Sequence, residues 1–274
     1  MKNIITISNY TFREALSRKI FLTFFGVSSL VLIVFAILFA SVSIEDMMPV
    51  VTSNGRNPLD DIIPRITEFF KTCIVVPLYG GGLFLSIFSV SSFIPNMLEK
   101  GSIDLILSKP VSRSQILLGK FFGGSFMVMV NVAYLVIGIW LLIGIKFGDW
   151  GAGLFFSILT ITFTFMVLYS LIILIGILTR SSILAMMITY LLFFVFSPIL
   201  SARDNIYILF DNKFVEFIVD GLYYILPKTQ ELGGITADLA RGAGISEIQP
   251  IISSFLFMIL TLGLAIITFN KKDY

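Results

Sequence analysis

The feature that most constrains this chain is a series of six apolar stretches, each long enough to cross a lipid bilayer. A transmembrane helix needs about 20 predominantly apolar residues to cross about 30 Å of hydrocarbon. Only 13% of the residues are charged, against about 25% in ordinary soluble domains. The sequence therefore predicts an all-α polytopic membrane protein, with one transmembrane domain over residues 1–274. We number the stretches as spans one to six: residues 20–44, 72–95, 116–143, 151–178, 182–201 and 251–269.

The residue types that are missing narrow the possible functions. The chain has no histidine, and its single cysteine, Cys73, cannot form an intrachain disulfide or a paired-cysteine metal site. No Asp, Glu, Lys or Arg lies in the central part of a span, whereas ion-coupled transporters usually place ionisable groups there. We therefore expect no catalytic site, no metal, no bound cofactor and no nucleic-acid partner. Any uphill transport would take its energy from outside the membrane.

The distribution of charge predicts how the chain is oriented in the membrane. Residues 1–19, 96–120, 179–181 and 270–274 contain 11 basic and 4 acidic residues. The remaining segments contain 8 basic and 13 acidic residues. Because basic loops favour the cytoplasmic side, we expect both termini and the loop 96–114 in the cytoplasm of a cytoplasmic (inner) membrane protein.

Two segments outside the spans have helical patterns. Residues 1–19 place Ile5, Phe12 and Leu16 on one face, which predicts an amphipathic helix lying on membrane lipids; the alternative is a basic flank that only sets topology. Residues 202–250 predict two short outer helices, one from Phe214 to Pro227 and one from residue 231 to 239. This outer pair either forms a lid over a pathway or only covers the ends of the spans.

Small and weakly polar residues are concentrated in span two. Gly81 and Gly82 follow another glycine, and Ser86 and Ser89 come next at helical spacing. One interpretation is a flexible, weakly polar lining of a pathway. The other is ordinary packing of helices through small residues.

The loop after span two contains a short apolar segment on the predicted cytoplasmic side. Gly101 and Ser102 favour a helix start, and Asp104 in the first turn suits the positive end of a helix. Pro110 then ends the helix. An exposed apolar patch of this kind usually marks an interaction surface, and burial in the inner leaflet is the alternative. The apolar residues are Ile103, Leu105, Ile106 and Leu107.

This loop resembles that of a known family. The sequence is similar to the permease subunits of ABC transporters in the type-2 export superfamily, and most similar to the branch associated with maturation of multicopper enzymes or nitrous-oxide reductase. The resemblance extends over the whole chain. The matching residues are Glu99, Gly101, Ser102, Leu105 to Ser108, Pro110 to Arg113, Gly119 and Lys120, together with Arg13, Glu14, Tyr223, Tyr224, Leu226 and Pro227.

The resemblance implies that the short helix is a coupling helix, which enters a cleft on a separate ABC ATPase subunit. ATP and magnesium would be bound only by that partner, and this chain has no phosphate-binding loop motif. The implied coupling residues are Glu99, Gly101, Ser102, Ile103, Asp104, Leu105, Ile106, Leu107, Pro110 and Arg113.

The resemblance also implies that two permeases, a second copy or a paralogue, assemble side by side. An unidentified substrate would be exported between spans two and five of each. The candidate lining residues are Gly81, Gly82, Ser86, Ser89, Thr189 and Ser197.

Two other functions stay open on the sequence alone. A non-transporting membrane scaffold, or an assembly factor for a secreted or copper enzyme, would have the same spans but would need no ATPase. An intramembrane lipid-modifying enzyme would need a catalytic group within the spans, and the missing histidines and the lack of carboxylates there argue against it.

Overall fold

The computed structural model describes residues 2–17, 19–41, 58–98, 111–209, 212–245 and 247–272. Over these residues the chain is predominantly helical and contains no β-strand. We number the helices in chain order: α1 Lys2–Ser17, α2 Lys19–Ser41, α3 Pro58–Val90, α4 Phe93–Met97, α5 Arg113–Phe147, α6 Gly153–Thr179, α7 Ser182–Leu191, α8 Ser197–Ser201, α9 Arg203–Leu209, α10 Lys213–Ile225, α11 Thr229–Arg241 and α12 Gln249–Lys271.

The six predicted spans are confirmed as six helical segments long and apolar enough to cross a membrane. They correspond to α2, α3 with α4, α5, α6, α7 with α8, and α12. The main difference concerns span two, because α3 already begins at Pro58, within the predicted outer loop. Proline is favourable at the first position of a helix, where its missing N–H has no partner to lose.

Span four lies at the centre of the bundle. In α6, 72% of the residues in the most apolar part of the helix are buried inside the protein. In the corresponding part of α2, at the periphery of the bundle, only 17% are buried. The ring of Tyr169 stacks on Phe121 and Phe165, with centroid distances of 5.8 and 5.3 Å. The outer surface of the bundle is also apolar, as expected for helices that face lipid.

The amphipathic N-terminal segment is a helix, and it packs against the start of α5. A Cβ atom placed at Gly119 would lie 2.5 Å from Ile7, and one at Gly123 would lie 2.7 Å from Thr11, so the two helix backbones touch through glycine. Ile5, on the predicted lipid-facing side, is 68% exposed. The packed face of α1 is therefore about a quarter turn from the predicted apolar face.

Span five is interrupted by a short π-helical segment. The helix α7 continues into π-type turns over Leu192–Phe196 and then into α8. Pro198 follows at the start of α8. Segments of this type are rare and are often found at functional sites.

The predicted pair of outer helices is confirmed as α10 and α11, and α9 precedes them. Gly242 ends α11 with a left-handed φ of 89°, a conformation that glycine adopts without steric cost. The start of α6 lies under α11, because a Cβ at Gly153 would be 2.6 Å from the carbonyl oxygen of Leu239. We call this end of the bundle the outer-helix end, and the opposite end, which contains Arg113 and Lys272, the basic end.

Candidate functional site

Most of the predicted coupling residues lie outside the described part of the chain. The description stops at Leu98 and resumes at Val111. Arg113, at the start of α5, is the one predicted coupling residue that it includes. The coupling role of this segment therefore stays a prediction. The residues outside the description are Glu99, Gly101, Ser102, Ile103, Asp104, Leu105, Ile106, Leu107 and Pro110.

Arg113 holds the end of α12. Its Nη1 atom donates to the carbonyl oxygens of Phe269, Asn270 and Lys272, at 3.2, 3.4 and 2.6 Å. The last carbonyls of a helix have no partner within the helix, and a positive charge is favoured beside them. Ser112 caps α5 just before Arg113. Arg113 therefore fastens the start of span three to the end of span six.

Lys272 makes the matching contact with span four. Its Nζ atom donates to the carbonyl oxygens of Ile177 and Leu178 at the end of α6, at 2.8 and 3.3 Å. The side-chain amide of Asn270 donates to Ser114 Oγ at 3.3 Å. We call the contacts of Arg113, Asn270 and Lys272 the basic-end network. Sequence reasoning missed this network, although basic residues beyond the end of a helix were a signal for it.

A groove of about 470 Å³ lies beside the point where the description stops at Leu98. Arg180 turns the chain between spans four and five with a φ of 53°, which is unusual for a residue with a side chain. Ser181 then caps α7 by accepting from the N–H of Leu184 at 3.3 Å. The predicted coupling segment therefore follows directly on one wall of a groove, the wall that ends at Leu98. The turn at Arg180 forms the opposite wall. The groove is lined by Pro95, Asn96, Leu98, Arg180, Ser181, Ser182 and Ile183.

The hydroxyl groups proposed to line a pathway lie inside the protomer. Ser86 and Thr189 are fully buried, and Ser89 and Ser197 are nearly so. Gly82 is half-buried, and Gly81 alone of the six candidates is exposed. The lining of a pathway by these residues stays a prediction. Three of the hydroxyls donate within their own helix, Ser86 to Gly82, Ser89 to Leu85 and Thr189 to Ala185, at 2.6 to 2.8 Å.

The surface where spans two and five meet is aromatic. The rings of Phe84 and Tyr190 stack at 4.7 Å with an interplanar angle of 15°. The Tyr190 hydroxyl donates to the carbonyl oxygen of Phe84 at 2.8 Å. Phe194, in the π-helical segment, lies 6.1 Å from both rings and is half exposed. We call Phe84, Tyr190 and Phe194 the aromatic clasp. It joins the two spans, and sequence reasoning did not identify it.

The link between α10 and α11 is held by side chains from several spans. The Tyr79 hydroxyl of α3 donates to the carbonyl oxygen of Thr229 and lies 3.4 Å from Thr164 Oγ1 of α6. The N–H of Gln230 donates to Ser197 Oγ of α8 at 2.9 Å. The N–H of Lys228 donates to Ser254 Oγ of α12 at 3.1 Å.

An ion pair at the outer-helix end joins Lys71 of α3 to Asp149. Lys71 Nζ lies 2.7 Å from Asp149 Oδ2, and the N–H of Gly151 donates to the same carboxylate. Burial would raise the pKa of Asp149, but the hydrogen bonds from Lys71 and Gly151 outweigh burial and lower it. The pair ties the start of span two to the loop between spans three and four.

Groups suited to metal binding are absent from the part of the chain that the structure describes. No cluster of three or more His, Cys, Asp or Glu side chains there could hold a metal ion. The polar side chains instead make contacts between helices. The described geometry is that of a helical bundle fastened at both ends, with an aromatic clasp between spans two and five.

Comparison with known proteins identifies the family. No curated protein matches the chain significantly. The family described as ABC-2 family transporter protein matches residues 30–274, which include spans two to six and most of span one. This match does not distinguish branches, so the similarity to the multicopper-enzyme or nitrous-oxide-reductase maturation branch stays a prediction. The chain is a multi-pass membrane protein and belongs to the ABC-2 family of transporter proteins.

Proposed function

We propose that this chain is the permease subunit of an ABC exporter in the cytoplasmic membrane, driven by ATP hydrolysis in a separate ABC ATPase subunit. The observation that supports it best is the basic-end network beside the coupling segment. Arg113 follows that segment by three residues and is fastened to span six, and Lys272 fastens spans six and four. A partner that moved the segment would therefore move three spans together.

The chain's own residues supply no evident source of energy. Lys71 and Lys120 are buried, but Lys71 lies at the outer-helix end beside Asp149 and Lys120 in the first turns of α5. The middle of each span has no titratable carboxylate or cation that could couple transport to an ion gradient. This arrangement is consistent with a machine driven by nucleotide hydrolysis in another subunit.

The orientation and the assembly are parts of the same proposal. The basic end faces the cytoplasm, because its segments have the excess of basic residues. Two permeases, identical or paralogous, pair through the exposed surfaces of spans two and five, and the substrate passes between them. Phe84, Phe194 and Gly81 lie on that surface.

Co-purification of the permease with its ATPase tests this function. Leu105→Asp would lose the burial of one aliphatic side chain, about 1.5–3 kcal/mol, and would place a charge in a desolvated cleft. The complex should weaken about a hundredfold or more. The matched control is Ile208→Asp, because Ile208 is 82% exposed at the opposite end. A charge introduced at Leu239, also at the outer-helix end, would be a poorer control because Leu239 is half-buried beside α6.

The result separates the permease from a scaffold. A well-inserted Leu105→Asp variant that retains the ATPase like the wild type would refute the coupling assignment. A wild-type chain that never retains an ATPase would favour the non-transporting scaffold. Orientation is tested separately: a reporter active only in the cytoplasm should work after Tyr274 and fail near Asp238, and the reverse would contradict the proposed topology.

A further inference from the structure

The two helices that follow span five are joined to each other by side chains, and α9 follows the end of span five with only Ala202 between them. The guanidinium of Arg203, in α9, lies 3.7 Å from the centroid of the Tyr223 ring in α10. The Tyr207 hydroxyl of α9 donates to Asp220 Oδ1 of α10 at 2.7 Å. We call α8, α9 and α10 together the span-five unit.

The next outer helix, α11, belongs to the rest of the bundle. Thr229 is bonded to Tyr79 of α3, and a Cβ at Gly233 would lie 2.9 Å from the Tyr79 ring. At its other end, α11 lies against the start of α6 through Gly153. The residue before it, Lys228, is bonded to α12 through Ser254. These contacts fix α11 to spans two, four and six.

The two parts meet along a seam that several polar contacts cross, and α10 also packs against α12. The N–H of Gln230 donates to Ser197 Oγ, and the Tyr223 hydroxyl donates to Glu231 Oε1 at 2.7 Å. Lys228 Nζ lies 3.7 Å from the centroid of the Tyr223 ring. The cavity along the seam measures about 10 Å³, roughly the space of one water molecule, so the seam is closed. Its lining comes from both sides: Ser197, Leu200, Ser201, Tyr223, Leu226, Pro227, Lys228, Gln230 and Glu231.

The closed seam buries ionisable groups that are incompletely bonded. Lys228 is only 4% exposed, and its Nζ has no hydrogen-bond partner among the described residues. Glu231 Oε2 also lacks one within that part of the chain. Burial lowers the pKa of Lys228, since a charged ammonium is less stable away from water. Opening the seam would hydrate both groups, which offsets part of the cost of separating its surfaces.

Span five is weakest directly below the seam. The π-helical turns Leu192–Phe196 end at Ser197, the residue that bonds across the seam. Pro198, the next residue, has no N–H to donate within the helix. Helices bend preferentially at π-type turns and at proline. The position of both features allows the span-five unit to rotate while α7 stays in place.

We propose that this seam is the outer gate of the permease, and that it opens when the span-five unit swings away from α11 about the π-helical segment. The proposal rests on the proposed function, since it concerns the release of substrate at the outer-helix end. It assigns a role to the outer helices that neither the family match nor the transport function requires. α10 moves with span five, whereas α11 stays with spans two, four and six.

Cysteine labelling from outside tests the gate. Single cysteines are placed in a Cys73→Ser background of the permease–ATPase complex in lipid vesicles, and a membrane-impermeant maleimide is added with and without ATP and vanadate. Ser197→Cys lies in the seam and should label about tenfold faster or more when the nucleotide cycle opens it. Ala185→Cys, a fully buried position in α7 below the π-helical segment, should stay slow in every state. Ser201→Cys, which replaces an exposed residue, should label in every state.

The outcomes separate the gate from the transport function. Labelling at Ser197→Cys that ignores nucleotide, in a complex that hydrolyses ATP, would overturn the gate alone. Equal acceleration at Ala185→Cys would also overturn it, because the whole span would then loosen. A chain that never retains an ATPase would refute both proposals. As a second variant, Ser197→Cys with Gln230→Cys places one cysteine on each side of the seam, and mild oxidation of the closed state should join them. Oxidation should suppress nucleotide-dependent labelling at an added Glu231→Cys, and a reductant should restore it; labelling that ignores oxidation would contradict the gate.

Discussion

The basic end and the outer seam are both held by polar contacts, but of different kinds. At the basic end, Arg113 and Lys272 donate to main-chain carbonyls at helix ends, which otherwise have few partners. At the seam, the N–H of Gln230 donates to the neutral hydroxyl of Ser197, and Tyr223 donates to the Glu231 carboxylate. Lys228 Nζ and Glu231 Oε2 are buried without a hydrogen-bond partner among the described residues. Hydrogen bonds with a charged partner are about twice as strong as neutral ones.

The difference indicates that the two ends of the bundle are held together in different ways. The basic end joins spans three, four and six through charged side chains that donate to helix-end carbonyls. The seam joins span five to the others through one neutral and one charge-assisted hydrogen bond, and hydration of Lys228 and Glu231 offsets part of their loss when the seam opens. Substitutions at both ends test this contrast.

Gly123→Val should be the most damaging substitution at the basic end. Its Cβ would lie 2.7 Å from Thr11 and 2.8 Å from the carbonyl oxygen of Ser8, so α1 must move away. We expect a loss of about 3 kcal/mol of unfolding free energy. The measurement is thermal unfolding of the isolated permease in detergent. Gly81→Val is the control, because its Cβ would meet nothing within 4 Å; equal losses for the two variants would contradict the contact between α1 and α5.

Arg113→Gln should cost about 2 kcal/mol, because three carbonyls lose a charged donor. The loss should be visible in the permease without any ATPase, which distinguishes fastening of span six from direct contact with a partner. Lys271→Gln removes a neighbouring charge that is exposed and should change stability little. An isolated Arg113→Gln permease as stable as the wild type would mean that the basic-end network is not stabilising.

Asp149→Asn tests whether the stability of the outer-helix end, in the part that stays with span two, also depends on a charged contact. The variant should lose about 1–2 kcal/mol at neutral pH, since Lys71 would stay buried without its partner. The folded-state pKa of Asp149 is lowered, so its contribution is fully present above its ordinary pKa of 3.8 and is lost as the pH falls through the lowered value. Unfolding measured from pH 7 to about pH 3 should show the wild type and the variant converging. Parallel curves would exclude this ion pair as the cause.

Ser197→Ala should have the smallest effect, about 1 kcal/mol, because it removes the neutral hydroxyl that accepts from the N–H of Gln230. Thr189→Val is the matched control, since the Thr189 hydroxyl only donates back to Ala185 in its own helix. Thermal unfolding of both variants gives the comparison. A larger loss for Thr189→Val would place the important polar contact of span five below the hinge rather than at the seam.

The sequence predicted the elements of this fold well because apolar length and helix-ending residues are local signals. All six spans are present, and the second outer helix, predicted for residues 231–239, is Thr229–Arg241, with Gly242 at its end as expected. The start of α3 was harder to predict because Pro58 precedes the apolar stretch that marked span two. Hydropathy shows where a helix is apolar, not where it begins.

The candidate site was predicted less well, because the rotation of a helix about its axis depends on its neighbours. Spacing placed Ser86 and Ser89 on one face, and the structure turns that face into the protomer. The contact of Arg113 with Lys272 joins residues 159 positions apart, and no local pattern indicates such a pair. Contacts of this range are decided by packing of the whole bundle.

The basic-end network also has a consequence for the order in which the protein is made. Spans three and four are synthesised well before Lys272, which follows the last described helix. Domains fold largely from the N-terminus during synthesis. The carbonyls of Ile177 and Leu178 at the end of α6 therefore lack this donor until α12 has been inserted into the bilayer. Closing the basic end therefore follows the insertion of span six, so a nascent chain that has not yet made span six lacks the contacts that join spans three and four to it.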